Sequence, residues 1–308
     1  MKNLILILLA SLVLFSCEDK VDISKTLKSG ENALVVDAFL NNLKEKQVVR
    51  LSSTQYYFDN SGPKLISGAK VSLTDLSTQQ SYVFSESILG EYQSELNGDS
   101  LLKVGHEYQL SISHVNENYV AYSMVNRVVR LDSITFEMAE EPDGTKVPGR
   151  FEAELWANDF PGPGDRYWVR HYKNNVRSIK PANLGIGYDA SSFPAGEVDG
   201  IPFIFPLRRF YINETLNEKK WKMNDVIKVE VYSITNEAAF FLAQVLSQSS
   251  LGEGGAIGAL FAIPPSNVPT NIKNTNENGN KAVGFFCTSA VSVGISNVPN
   301  KAINIDPF

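Results

Sequence analysis

Residues 69–75 read Ala69-Lys70-Val71-Ser72-Leu73-Thr74-Asp75, so that apolar Val71 and Leu73 alternate with polar neighbours. A period of two sends alternate side chains to opposite faces of an extended chain, so this segment can bury one face as a strand but not as a helix. Tyr108, Leu110 and Ile112 repeat the pattern. Further runs at 33–39, 47–52, 81–85, 91–95 and 119–130 are divided by Gly, Asn, Ser and Asp turns. About seven short strands spaced in this way predict a β-sandwich over residues 32–131.

A second β-rich domain is expected over residues 132–308. Alternation returns at 151–156, 167–172 and 226–232, and the prolines and glycines of 159–165 predict a rigid turn. Residues 174–206 read as irregular loops, and the asparagine-rich 271–280 as an exposed loop. One amphipathic helix is expected near 236–249, with Asn236 as its N-cap. Ala238, Phe241, Leu242, Val245 and Leu246 make a single apolar stripe there, suited to packing on a sheet. The fold class is therefore mainly β.

The chain begins Met1-Lys2-Asn3, continues uncharged through residues 4–15, and reaches Ser16-Cys17. This reads as a signal peptide over residues 1–16. The apolar run is about half the ~20 residues a spanning helix needs. Leu14-Phe15-Ser16-Cys17 resembles the lipobox of bacterial lipoproteins, which makes Cys17 the candidate lipidation site. An ordinary secreted protein with a coincident cysteine is the alternative. Residues 17–31 then form a polar tether. Glu18 and Asp19 resemble the surface-export signal of Bacteroidota lipoproteins, or are simply solvated linker charge. The expected location is the outer membrane, lipid-anchored and facing the cell surface. Lipid on Cys17 leaves Cys287 without an internal partner, and its apolar neighbours predict a buried, inert thiol.

The net charge of -6, with both signs dispersed, argues against nucleic acid, which calls for a basic stripe. His106, His114 and His171 lack metal-ligand spacing, and no serine sits in a Gly-x-Ser-x-Gly elbow. Gly252-Glu253-Gly254-Gly255 lacks the lysine and hydroxyl of a phosphate loop. No catalytic residue, metal or cofactor is assigned. Asp159 and Asp165 bracket the Pro-Gly turn and offer calcium-ligand chemistry, but turn capping is the expected role. Arg208-Arg209 reads as a solvated edge rather than an anion site. Trp156, Trp168 and Trp221 read as core rather than as sugar-stacking platforms. Tyr56, Tyr57 and Phe58, in a predicted loop of the first domain, are the candidate ligand or partner contacts.

A family resemblance runs through residues 17–23, 34–38, 50–52, 57–60, 66–71, 90–92 and 105–110. It continues through 131–134, Asn158-Asp159-Phe160-Pro161-Gly162 with Arg166-Tyr167-Trp168, then 224–229, 233–237 and Gly284-Phe285-Phe286. In this order the segments resemble the Bacteroidota outer-membrane lipoproteins catalogued as domain of unknown function 4249. Residues 251–265 fit the pattern less well. The resemblance implies an immunoglobulin- or transthyretin-like N-terminal sandwich, a β-rich C-terminal domain, and proximity to TonB-dependent receptors. It implies no catalytic site. The expected function is a non-catalytic accessory protein of such a receptor, in nutrient capture or uptake. A surface glycan-binding or adhesin-type module is the alternative, and a hydrolase with an unrecognised site is a third reading.

Overall fold

The alternating segments become strands whose apolar faces turn inward. The computed structural model describes residues 33–55, 61–141, 143–179, 184–192, 198–213, 221–249 and 268–299. Cys17, the leader and tether, and Tyr56, Tyr57 and Phe58 lie outside them. The first elements are β1 (Leu34–Asn41), β2 (Lys46–Ser53), β3 (Lys64–Leu65), β4 (Lys70–Asp75), β5 (Gln80–Ile88) and β6 (Glu91–Asn97). After a one-turn helix α1 (Gly98–Leu101) come β7 (Glu107–His114), β8 (Glu117–Met124), β9 (Leu131–Glu140) and β10 (Lys146–Ala157). Next are β11 (Arg166–Lys173), β12 (Val176–Arg177), β13 (Gly185–Tyr188), a 3-10 turn (Phe210–Ile212), β14 (Trp221–Lys222) and β15 (Val226–Ser233). Helix α2 (Asn236–Ser249), β16 (Lys273–Asn274), β17 (Ala282–Ser289) and β18 (Val291–Asn297) complete the order. Among the described residues no helix is long and apolar enough to cross a membrane.

The largest sheet runs β16-β8-β7-β4-β5-β6-β2-β1-β17, with β3 on β2. It curls until β17 lies beside β8. Side chains stitch that seam. The Asn271 amide mimics a strand partner, donating to the Phe286 carbonyl at 2.8 Å and accepting from the Phe286 N–H at 3.0 Å. The Thr288 N–H donates to Ser123 Oγ at 2.9 Å. The inner faces of β1, β4 and β7 bring Val36, Ala38, Leu40, Val71, Leu73, Leu110 and Ile112 into one buried cluster with Phe286. β1 and β17 are parallel, and β17 approaches closely at Gly284, where φ is +90° and a Cβ would overlap the Val36 carbonyl. Only glycine suits that position. Two strands from beyond residue 131, β16 and β17, thus belong to the first sheet.

The second core lies between two smaller sheets, β14-β10-β9 and β12-β11-β15-β18 with β13 on β11. Phe136, Phe151, Ala153 and Leu155 meet Tyr167, Val169, Ile227, Val229 and Val231 across it. The opposite face of β11 and β15 presents Trp168 and Tyr232. These pack with Phe39, Phe285, Cys287 and the start of α2 in a third cluster that joins the two parts. The Phe39 and Trp168 rings meet edge-on at 5.4 Å. Cys287 is fully buried, and burial pushes its thiol pKa up, which leaves it unreactive.

Several sequence expectations change in detail. β8 ends at Met124 rather than near residue 130, although Val125 and Val129 are buried. β9 and β18 are strands that alternation only weakly marks. The region read as loops over 174–206 contains β12 and β13 and buries Ile186, Ala190 and Phe203. The expected loop at 271–280 contains β16 and buries Ile272. The cap of α2 is Thr235, whose Oγ accepts from the Ala238 N–H at 3.2 Å, not Asn236. Only Ala238, Ala239 and Leu242 of that helix are buried; Val245 and Leu246 remain partly open.

Candidate functional site

A cleft of about 780 Å³ opens where the two parts meet. One wall is the end of β8, with half-exposed Tyr122 and Met124. The other is the turn at Gly164-Asp165 and the start of α2, and Thr270, Asn271 and Lys273 close one end. The connection leaving β8 shapes it. The Asn126 amide donates to the Ile234 carbonyl at 3.1 Å, and Ser233 Oγ donates to the Asn126 carbonyl at 2.8 Å. Arg127 grips Asp165 with two hydrogen bonds, 3.0 Å and 2.6 Å, and its guanidinium lies 4.6 Å from the Phe160 ring centre. Hydrogen bonds to Asp165 raise the Arg127 pKa. Acidic Glu107 and Glu237 and basic Lys273 line the same space, so it is mixed in charge. Such a lining suits a neutral polar ligand better than a strongly charged one.

Behind the turn, Asp159, Asp189 and Asp199 converge, each with an oxygen within 4.8 Å of the others. Asp159 and Asp165 do not converge as the calcium alternative would need; Arg127 holds Asp165. The aspartates clamp backbone instead. Asp189 accepts from the Gly164 and Asp165 N–H groups at 2.8 and 2.9 Å. Asp199 accepts from the Gly162 N–H at 3.0 Å, and Asp159 from Tyr167 Oη at 2.7 Å and the Gly200 N–H at 3.3 Å. Burial raises the Asp159 pKa despite these donors. Three carboxylates have the oxygen chemistry of a calcium site, yet each has an oxygen that already clamps local backbone or Tyr167, with Asp199 Oδ1 buried and without a hydrogen-bond partner. Clamping is the role expected of Asp159.

The remaining residues singled out from sequence fall in separate places. Arg208 and Arg209 are not a solvated edge. Arg208 donates to Glu154 at 2.7 Å, and Arg209 pairs with both Glu154 and Glu137. Their anion is internal. Trp168 and Trp221 are buried, and Trp156 is half-buried beneath Arg208 with Nε1 bonded to Thr135. His106 and His114 lie at opposite ends of β7; His106 sits 2.8 Å from Asp75. Burial opposes the Asp75 charge, but hydrogen bonds from His106, Ser77 and Thr78 hold its pKa down. His171 lies in the second core beside Trp221, and burial lowers its pKa to about 4, so it is neutral at pH 7. Sequence reading missed Asn126, Arg127, Asp189 and Asp199. No spacing rule connects residue 159 to residue 199, and residue 127 sat within an expected strand.

Among curated proteins, none matches the chain. The family described as domain of unknown function (DUF4249) matches residues 19–294, and this chain belongs to it.

Proposed function

We propose that this chain is a lipid-anchored outer-membrane accessory protein of the Bacteroidota type, tethered through Cys17. It docks without catalysis on a TonB-dependent receptor during nutrient capture or uptake. The anchor rests on Leu14-Phe15-Ser16-Cys17 and the polar residues that follow. Two or more acyl chains give stable attachment, at ~0.8 kcal/mol per buried CH₂. In this reading the first sheet is the immunoglobulin- or transthyretin-like unit of the family.

The observation that carries docking is an exposed apolar group on the first sheet. Leu65, Ile88 and Leu89 are 44%, 63% and 57% exposed. Leu65 lies against Gly90, which directly follows Ile88 and Leu89 in the chain. Leu65 ends the two-residue strand that follows Tyr56, Tyr57 and Phe58 in the chain. Exposed apolar groups of this kind mark contact surfaces. Pull-down of the native protein in mild detergent should recover a receptor, and Ile88→Asp with Leu89→Asp should lose it. Recovery of the lipoprotein alone across several detergents would sink the reading. So would a mature mass showing residue 17 unmodified.

A surface glycan-binding or adhesin-type module is the second reading. The junction cleft favours it, being polar and lined by half-exposed Tyr122. A glycan array probed with the full mature chain separates the two: a sugar lost on Tyr122→Ala supports this reading, and silence leaves the first.

A further inference from the structure

A smaller cavity of about 180 Å³ lies between β11, β12 and the second half of α2. Val245, Leu246 and Leu184 supply its apolar lining, and Arg170 and Arg177 supply charge. Cross-strand pairing puts both arginines on one face of the sheet, since Arg177 lies opposite Tyr172 and Arg170 opposite Glu230. The Arg170 guanidinium lies flat over Trp168, 3.5 Å from the ring centre, and 4.2 Å from that of Tyr232. Arg177 approaches the same tryptophan at 5.8 Å.

Neither arginine has a carboxylate partner among the described residues. Glu230, the acid across the ladder, is engaged by Lys228 at 2.8 Å and by Tyr172 and Tyr232 at 2.9 and 2.8 Å. Arg170 Nε is buried with no acceptor. Burial disfavours the Arg170 charge and Arg177 adds to that cost, while Tyr232, Tyr172 and Glu230 partly offset it; arginine stays protonated in proteins. Lys228 shares Glu230 with these arginines, so among the described residues the cations here outnumber the acid. Arg177 is exposed and solvated, so the unmet demand is that of Arg170, which is partly buried with its Nε enclosed. A buried polar group is ordinarily hydrogen-bonded, and a stacked guanidinium still directs N–H donors along its rim.

We propose that this cavity binds a small apolar monocarboxylate, with an apolar body about the size of one phenyl ring. A cavity of ~150 Å³ holds benzene, which sets the size. Arg170 and Arg177 hold the carboxylate, and Leu184, Val245 and Leu246 cover the body. The site is separate from the junction cleft and needs no receptor, so its test is independent of the docking proposal.

Equilibrium dialysis of the full-length protein in mild detergent, with labelled phenylacetate, tests it against a detergent-only chamber. Saturable binding is expected, with 2-phenylethanol, the uncharged counterpart, at least about tenfold weaker. Arg177→Gln removes one donor and Leu246→Trp fills the cavity; each should weaken phenylacetate by about tenfold or more. Both positions reach solvent, and an unchanged melting midpoint establishes that each variant folds; Val245→Trp replaces a cavity variant that does not. Absent saturation, equal binding of the alcohol, or retention in either folded variant overturns the proposal.

Discussion

Two arginines in this protein lie flat on tryptophans at the same 3.5 Å, Arg208 on Trp156 and Arg170 on Trp168. Each has a second arginine beside it, Arg209 and Arg177. The two pairs differ in their acid and in exposure, since Arg177 is exposed and Arg209 partly buried. The first shares a buried carboxylate, Glu154, whose side chain is 4% exposed. The second faces a carboxylate already taken by Lys228 and two tyrosines. A cation–π contact stabilises by about 0.5–2 kcal/mol, and solvent that reaches Arg177 and part of Arg170 lowers the cost of leaving them without an acid. The difference teaches where charge serves the fold and where it is left for something outside it.

The sharpest way to break the comparison is to remove the acid from the first pair. Glu154→Ala leaves Arg208 without an acid and Arg209 with Glu137 alone. The expected loss is about 3 kcal/mol, at the low end for a broken buried pair because both arginines reach solvent. A urea melt reads it, and a loss below about 1 kcal/mol would make the two pairs equivalent. Next is His171, which neighbours Arg170 in sequence but faces the second core. Its folded pKa of about 4 lies below the ordinary 6.5. The unfolded chain therefore takes up the proton first, and stability falls as pH drops from about 6.5 towards 4. Between pH 6.5 and 4.5 the wild type should lose roughly 2–3 kcal/mol relative to His171→Gln. Taking the difference matters, because the raised pKa of Asp159 acts in the opposite direction. Equal slopes for the two proteins would show that His171 is solvated.

Smaller effects sharpen the comparison. Thr235→Ala removes the cap of the helix that walls the unpaired arginines, at about 1 kcal/mol; Asn236→Ala, the position expected from sequence, should cost much less in the same melts. Arg177→Gln should move stability by no more than about 0.5 kcal/mol, since no acid depends on it. A larger loss would mean that its charge serves the fold, as that of Arg209 does.

Period-two alternation located β1, β2, β4 and β7 because each has one buried face, and burial of one face writes itself into local sequence; β11 and β15 were found too, although both their faces are covered. β9, β13 and β18 were harder to read. β13 is Gly185-Ile186-Gly187-Tyr188, where glycines sit because Tyr211 and Leu207 press against the backbone, and that pressure comes from distant chain. The helix was legible as a stripe, but its burial stops after Leu242, and no stripe reveals that half of it borders a cavity. Among the residues named for function, Asp159 was legible as a turn clamp, whereas its companions Asp189 and Asp199 were not.

Local order thus determined, from sequence alone, that this is a mainly β chain with one amphipathic helix and a buried Cys287; the family resemblance also stood in the order of its motifs. Tertiary structure alone decided that β17 returns to lie against β1, that Arg127 holds Asp165, and that Arg208 and Arg209 share Glu154. The physical reason is range. Side-chain periodicity is set within a few residues, whereas charge pairing depends on which strands meet across the fold.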